Sequence, residues 1–203
     1  MDSKSARRRP KGDKRERTRT ALLAAARDVT REKGFDNTTL QDVAQRAGMT
    51  TGAIYGNFKN RDDLFLALAE RQWLAVRPRF LPGSSFAEKM HALADAVLAS
   101  LPARQDAAQG ALRFRAYAMG HEEVRIPFRD AMGSGYDAGA AFFRSSVDPA
   151  DLPMRPEILV RVINAMIEGL TFQRFLTPEL MDDEVFYQAF AALAGGQHQA
   201  KGR

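Results

Sequence analysis

The sequence predicts an all-α fold, and three observations carry the prediction. Apolar residues recur at helix spacing along most of the 203 residues. No alternation of period two persists anywhere in the chain. Gly, Pro, Thr, Asn and Asp fall at the ends of the periodic stretches, where helices start and stop. About nine helices fit: an N-terminal three-helix group containing a helix-turn-helix pattern, then a larger helical domain. The expected divisions are a disordered basic arm over 1–12, the three-helix domain over 13–60, a connecting helix over 61–80, the larger domain over 81–196 and a tail over 197–203.

Residues 1–19 hold nine basic side chains and almost nothing apolar, and Pro10 and Gly12 interrupt them. Such a segment cannot offset the entropy of ordering, so the first dozen residues are expected to be disordered. From Asp13 the pattern turns helical, with Leu22, Leu23, Ala26 and Val29 in register and Gly34 as the stop. "TTLQDVAQRAG" reads as a short helix with a capping box, either Thr38 with Gln41 or Thr39 with Asp42. Leu40, Val43, Ala44 and Ala47 face inward, and Gly48 supplies the turn. Thr50 caps a third short helix that buries Ile54 and Phe58. Asn60, followed by Asp62 and Asp63, opens a fourth helix through Leu64, Phe65, Leu68 and Trp73, which Arg77-Pro78 should end or bend. After the linker "RFLPGSSF", helices are expected near 85–100, 105–120, 122–146, 155–176 and 182–194, with breaks at "SLPARQ", "VDPADLPMRP" and "LTPELMDD" and a bend at Pro127.

Composition narrows the function classes. The chain is 45% hydrophobic and 27% charged, enough for a core, and no apolar run approaches the length of about eighteen residues needed to cross a membrane. The charged leader does not read as a secretory signal, and cysteine is absent, which excludes disulfides and thiolate chemistry. A cytoplasmic protein is expected. Residues 1–80 carry 18 Lys and Arg against 10 Asp and Glu, whereas the remainder carries 12 against 15. One basic end on an acidic body is a directional field that suits a polyanion.

The stretch "MTTGAIYGNFKNRDDLF" sharpens that expectation. Two short helices separated by a glycine turn form a helix-turn-helix, whose second helix enters the DNA major groove by its N-terminus. Thr51, Gly52 and Ala53 would occupy the groove-facing positions, where small side chains let the helix approach base edges and thymine methyls. Thr38 or Thr39, the cap Thr50 and the first amides of each short helix suit phosphate oxygens. Tyr55, Asn57, Lys59 and Arg61 would flank the groove and hold the DNA backbone.

In "GFDNTTLQDVAQRAGMTTGAIYGNFKNRDDLF" the chain resembles the TetR/AcrR family of ligand-responsive transcriptional regulators. The paired threonines, the alanine-glycine turn and the tyrosine-x-x-phenylalanine-x-x-basic exit carry the resemblance, which covers about residues 17–72. A weaker likeness covers "VINAMIEGLTFQRFL", similar to a helix near the family's dimer interface. The resemblance implies double-stranded DNA with inverted half-sites, a small-molecule effector and a homodimer as partners, and repression as the mode. Thr30 departs from the pattern, standing where the family carries a large aromatic; Asn57 replaces an aromatic or histidine, and Arg61 the commoner lysine. The arginine-rich leader is longer than the family minimum and is expected to track the adjacent minor groove.

In the larger domain, Ile158 to Leu176 holds twelve apolar side chains out of nineteen. Arg161, Asn164, Glu168 and Thr171 form one polar strip, leaving an apolar arc of about 240°, where a single core needs little over 100°. A second partner surface follows. With the two-fold logic of DNA half-sites, it points to a dimer through Ile158, Val162, Met166, Gly169 and Leu170, joined by Val185, Phe186 and Phe190 of the last helix. An effector pocket is the family expectation, with Trp73, His91, Arg113, Phe114, Tyr117, His121 and Phe143 as candidates and a largely apolar effector.

Catalysis finds no support. His91, His121 and His198 show no metal-ligand spacing, no glycine loop cradles a phosphate, and "GSGYD" lacks the strand-turn-helix setting of a nucleophile loop. No cofactor or metal is expected. The competing reading is a constitutive or architectural DNA-binding protein whose helical domain only dimerises; a protein-protein adaptor would leave the recognition helix unexplained.

Overall fold

The computed structural model describes residues 11–73, 76 and 78–195. The expected disordered arm therefore lies almost wholly outside the described residues, as do Arg77 and the tail. Nine α-helices run in order among the described residues: α1 Lys11–Lys33, α2 Leu40–Arg46, α3 Thr51–Tyr55, α4 Arg61–Trp73, α5 Phe86–Gln105, α6 Ala108–Gly120, α7 Glu122–Ser146, α8 Pro156–Leu176 and α9 Asp183–Gly195. Single 3-10 turns, Pro149–Asp151 and Pro178–Leu180, precede α8 and α9. No strand occurs among the described residues.

Helix ends follow local chemistry. Helix α1 begins at Lys11, two residues before Asp13, and stops at Gly34, whose φ of 80° is costly for residues with a Cβ. Ser85 and Glu88 form a capping box at the start of α5. The break expected at "SLPARQ" does not occur: α5 continues through Pro102 to Gln105. Proline costs one backbone hydrogen bond there, but Leu101 just before it and Arg104 beyond it are buried, and their packing holds the last turn. Helix α7 likewise runs through Pro127.

Two compact units emerge. The first takes in the chain up to Ala69 and adds Gln109–Ala116 of α6. Leu22, Ala26, Val29, Val43, Ile54, Phe58 and Leu64 are at most 2% exposed and form its centre. Each Leu, Val, Ile or Phe among them contributes about 1.5–3 kcal/mol on burial. A second cluster joins Phe35, Phe65 and Phe114, with ring centroids 4.5, 5.9 and 6.0 Å apart. The departure at Thr30 has its reason here. A Cβ on Gly110 would lie 2.7 Å from Thr30 Cγ2, so the backbone of α6 fills the space that an aromatic at position 30 would need.

The second unit comprises Glu70–Ala108 and the chain from Tyr117 onward. Helix α5 packs on α9 and α7 on α8, around Met90, Ala94, Val97, Leu159, Phe186 and Phe190. Helices α7 and α8 cross closely at Gly139, where an added Cβ would meet Val160 Cγ2 at 2.4 Å. Phe186 and Phe190, expected at a subunit interface, are instead 0% exposed in the chain's own core. A 13-residue α9 has only one face of large side chains, and α5 takes it.

Candidate nucleic-acid interface

Helices α2 and α3 pack against each other across a turn that backbone chemistry defines. Gly48, at φ 64°, donates its N–H to Gln45 O (3.0 Å), and Met49 donates to Ala44 O (2.9 Å). That pair of bonds is a Schellman motif, which ends α2 and turns the chain toward Thr50. Thr50 then caps α3, its hydroxyl oxygen accepting the Ala53 N–H at 3.2 Å. Ile54 is fully buried and anchors the short helix, with Phe58 1% exposed just beyond it.

The opposite face of α3 is bare. Thr50, Thr51 and Gly52 are exposed, Ala53 is half-buried, and Tyr55 is 59% exposed. An exposed tyrosine of that degree is not part of the core and presents its hydroxyl to solvent. At the start of α2 the structure decides between the two threonines. Thr39 is exposed and makes the capping box with Asp42. Thr38 is 0% exposed, and its hydroxyl donates to Gly34 O at 2.8 Å, so it is no phosphate ligand. The Thr38–Gln41 capping box does not form.

Two further candidates serve the fold rather than the groove. Arg61 donates Nε–H to Thr38 O at 2.8 Å and an Nη2 proton to Phe35 O, while its Cζ lies 4.2 Å from the Phe35 ring centroid and 4.8 Å from that of Phe65. It clamps the start of α4 to the loop before α2. A lysine ammonium has no planar fork to stack and donate in this way. Asn57 turns inward as well: Nδ2 donates to Ala53 O at 2.8 Å, and Oδ1 is buried without a hydrogen-bond partner. Lys59 remains exposed, with only its backbone N–H engaged, by Asp63.

Arg19 is the structural residue that the sequence reading left among the leader's charges. Its Nη1 donates to Asn57 O at 3.0 Å, and its Cζ sits 4.6 Å from the Phe58 ring centroid, tying α1 to the exit of α3. The spacing Arg19–Leu22–Ala26–Val29 placed it on the inward face. Nearby charges are mutually satisfied: Arg46 grips Glu32 through two nitrogens (2.8 and 2.5 Å), and Lys33 meets Asp42 at 2.6 Å. Hydrogen bonds from Lys33 and Thr39 hold the Asp42 carboxyl at a pKa of about 2. The Arg46 hydrogen bond similarly holds Glu32 below the ordinary range.

The effector candidates do not converge. Arg113, paired with Asp36 at 2.6 Å, and Phe114, 1% exposed, belong to the packing of the first unit. His91 is exposed and stacks on Tyr187 at 4.6 Å, Tyr117 stacks on His121 at 3.8 Å, and Phe143 is buried in the second unit's core. The Trp73 side chain lies outside the described residues. An open groove of about 360 Å³, lined by Arg144, Pro149, Leu152, Met154, Arg155 and Pro156, has none of these seven in its wall.

A capped two-helix unit with a bare, solvent-facing second helix is a helix-turn-helix arrangement. Residues 22–68 match the model of the bacterial regulatory proteins, tetR family. The match places a domain of that type in the first unit. Over 86 residues it is 34% identical to BepR, an HTH-type transcriptional repressor of Brucella suis, a match covering 41% of each protein. Over 53 residues it is 42% identical to TtgR, an HTH-type transcriptional regulator of Pseudomonas putida, covering 26% of this chain and 25% of that one. These matches thus span well under half of the relatives' length. A TetR-family transcriptional regulator from Rhodococcus sp. aligns over 87% of this chain and 96% of its own, at a TM-score of 0.70 and 19% identity. The multidrug binding protein EbrR, complexed with imidazole, aligns over 95% and 97% at a TM-score of 0.63 and 19% identity. At such identities the structures share the fold.

Proposed function

We propose that the protein is a homodimeric repressor that leaves an inverted-repeat operator when a small, largely apolar effector binds its second unit. The bare N-terminal face of α3, Thr50 to Ala53 with Tyr55 alongside, carries the reading. Small groups at the tip suit contact with base edges, and Thr39, Tyr55 and Lys59 are exposed around it to meet phosphates. Thr51, Gly52 and Ala53 specify sequence, and the flanking residues set register.

The dimer is supported by a second stripe on α8. Leu159, Ile163, Ile167 and Thr171 are buried, whereas Ile158 (40% exposed), Val162, Ala165, Gly169, Phe172 (42%) and Leu176 (62%) run along another face at alternating spacings of four and three. That spacing is the seam of a helix pair. A Cβ on Gly169 would meet nothing within 4 Å, so a partner helix has room to approach. Met166 and Leu170 pack partly against the chain's own core, and Val185 is half-buried on α9.

An effector that lowers operator occupancy a hundredfold must favour the released state by about 3 kcal/mol, at the upper end of ordinary coupling. The test is reciprocity. Operator affinity is measured with and without saturating effector, and effector affinity with and without operator. Equal shifts in both directions support the sensor; independence of the two ligands removes it and leaves a constitutive DNA-binding protein.

A further inference from the structure

The outward stripe of α8 has an internal symmetry that dimerisation alone does not require. Ile158 and Leu176, Val162 and Phe172, and Ala165 and Gly169 stand in pairs at equal distances in sequence on either side of Ile167. A two-fold axis crossing the helix at Ile167 would set each of them against its mate in a second copy, as an interface of one surface with itself demands. In that antiparallel register the small Ala165 and Gly169 meet at the centre, where two crossing backbones come closest. The larger side chains meet toward the ends. Each N-terminus also lies beside the other copy's C-terminus, which the helix dipoles favour.

Complementary features lie just beyond the two ends of the stripe. Four residues after Leu176, Leu180 closes a 3-10 turn with its side chain 76% exposed. Four residues before Ile158, Met154 lines the open groove of about 360 Å³, together with Pro149, Leu152 and Pro156. Charge matches as well. The rest of the groove wall is two guanidiniums, those of Arg144 and Arg155. Arg144 hydrogen-bonds Glu157, and Asp148 of the same loop accepts the Ala150 N–H at 2.9 Å, while Arg155 is exposed. Glu179, next to Leu180, is exposed and forms no ion pair among the described residues. A chain cannot fill its own groove, because the 21 residues of α8 hold it about 30 Å from Leu180. A parallel pair would set Leu180 against Leu180 and Glu179 against Glu179, leaving both grooves empty.

We propose that two copies of the chain exchange Leu180: in an antiparallel α8 pair centred on Ile167, Leu180 of each copy inserts into the other's groove beside Met154, with Glu179 against Arg155. Resting on the homodimer proposed above, the exchange fixes its register and extends it past both helix ends. An exposed leucine and an open apolar groove are then two halves of one contact that a single chain leaves incomplete. The charge pair selects the antiparallel orientation, since the parallel one brings like charges together.

Sedimentation of the full chain reads the strength of the dimer. Leu180→Ala should raise its dissociation constant about a hundredfold, because two leucines lose their seats and each is worth about tenfold or more. The fold should not change, as that side chain is exposed within its own chain. Glu179→Arg and Arg155→Glu should each weaken the dimer about fivefold or more, and the two together should restore it. Crosslinking reads the register, and a chain without cysteine makes it clean. Met154→Cys and Leu180→Cys chains, mixed and oxidised, should form a disulfide with each other, and neither should do so alone. Wild-type affinity in Leu180→Ala, no recovery in the double reversal, or a disulfide in Leu180→Cys alone overturns the exchange and leaves the dimer standing. A wild type that sediments as a monomer at micromolar concentration overturns the dimer, and the exchange with it.

Discussion

Replacing Arg61 with lysine keeps the charge and removes the clamp. The guanidinium donates to two backbone carbonyls, those of Thr38 and Phe35, and stacks beside two phenyl rings. A hydrogen bond from a charged donor contributes about 1.5–3 kcal/mol. Lysine recovers one of the two and forfeits ring stacking worth about 0.5–1 kcal/mol per ring. The expected net loss is about 2.5–5 kcal/mol, or a fall of about 5–20 °C in the melting temperature of a chain this size. Differential scanning calorimetry of Arg61→Lys reads the stability loss, and duplex binding below the transition reads the interface. An undiminished melting temperature with weakened binding would refute the clamp and return Arg61 to the phosphate backbone.

Other expectations divide the interface by role. Lys59→Ala should weaken binding to all duplexes alike and reduce the salt dependence by about one unit of slope, whereas Thr51→Val should change which sequence is preferred; fluorescence anisotropy on a duplex panel at several salt concentrations separates them. Phe172→Asp should give folded monomers in sedimentation, while Phe186→Asp, in the core, should unfold the second unit. Thr30→Phe should destabilise the first unit by colliding with α6 at Gly110, visible as a lowered thermal midpoint. The Asp42 carboxyl is held down to about 2 from 3.8, so its contribution is fully present above pH 4 and lost as pH falls toward 2. Asp42→Asn should flatten the acid unfolding curve across that window.

The helices were legible because their ends carry chemistry: Gly34, Gly48 and Thr50 each stop or start one by a local preference that sequence displays, whereas the capping box of Ser85, read only as part of the linker, emerged from the structure. The bare tip of α3 was legible for the same reason, since small residues leave no other reading of an amphipathic turn. Side-chain partners were not. Arg61 and Asn57 look like surface residues beside a groove, and only the fold shows that the carbonyls of Phe35, Thr38 and Ala53 lie within their reach. The apolar arc of α8 announced two partner surfaces, and two stripes are present, but sequence could not assign the aromatic face of α9 to α5. The scattered effector candidates failed for a related reason. Phe114 and Arg113 were selected for residue type, and residue type does not say that their stretch of α6 joins the first unit.

Selection of duplexes from a random library by the full-length protein, in physiological salt with excess competitor DNA, tests the central claim most directly. The predicted result is enrichment of one inverted repeat with two half-sites spaced by about 10–10.5 base pairs or a multiple of that, bound far more tightly than scrambled duplex. Enrichment of no sequence, with uniform salt-sensitive affinity for every duplex, would contradict it and leave α3 as a helix that touches only phosphates.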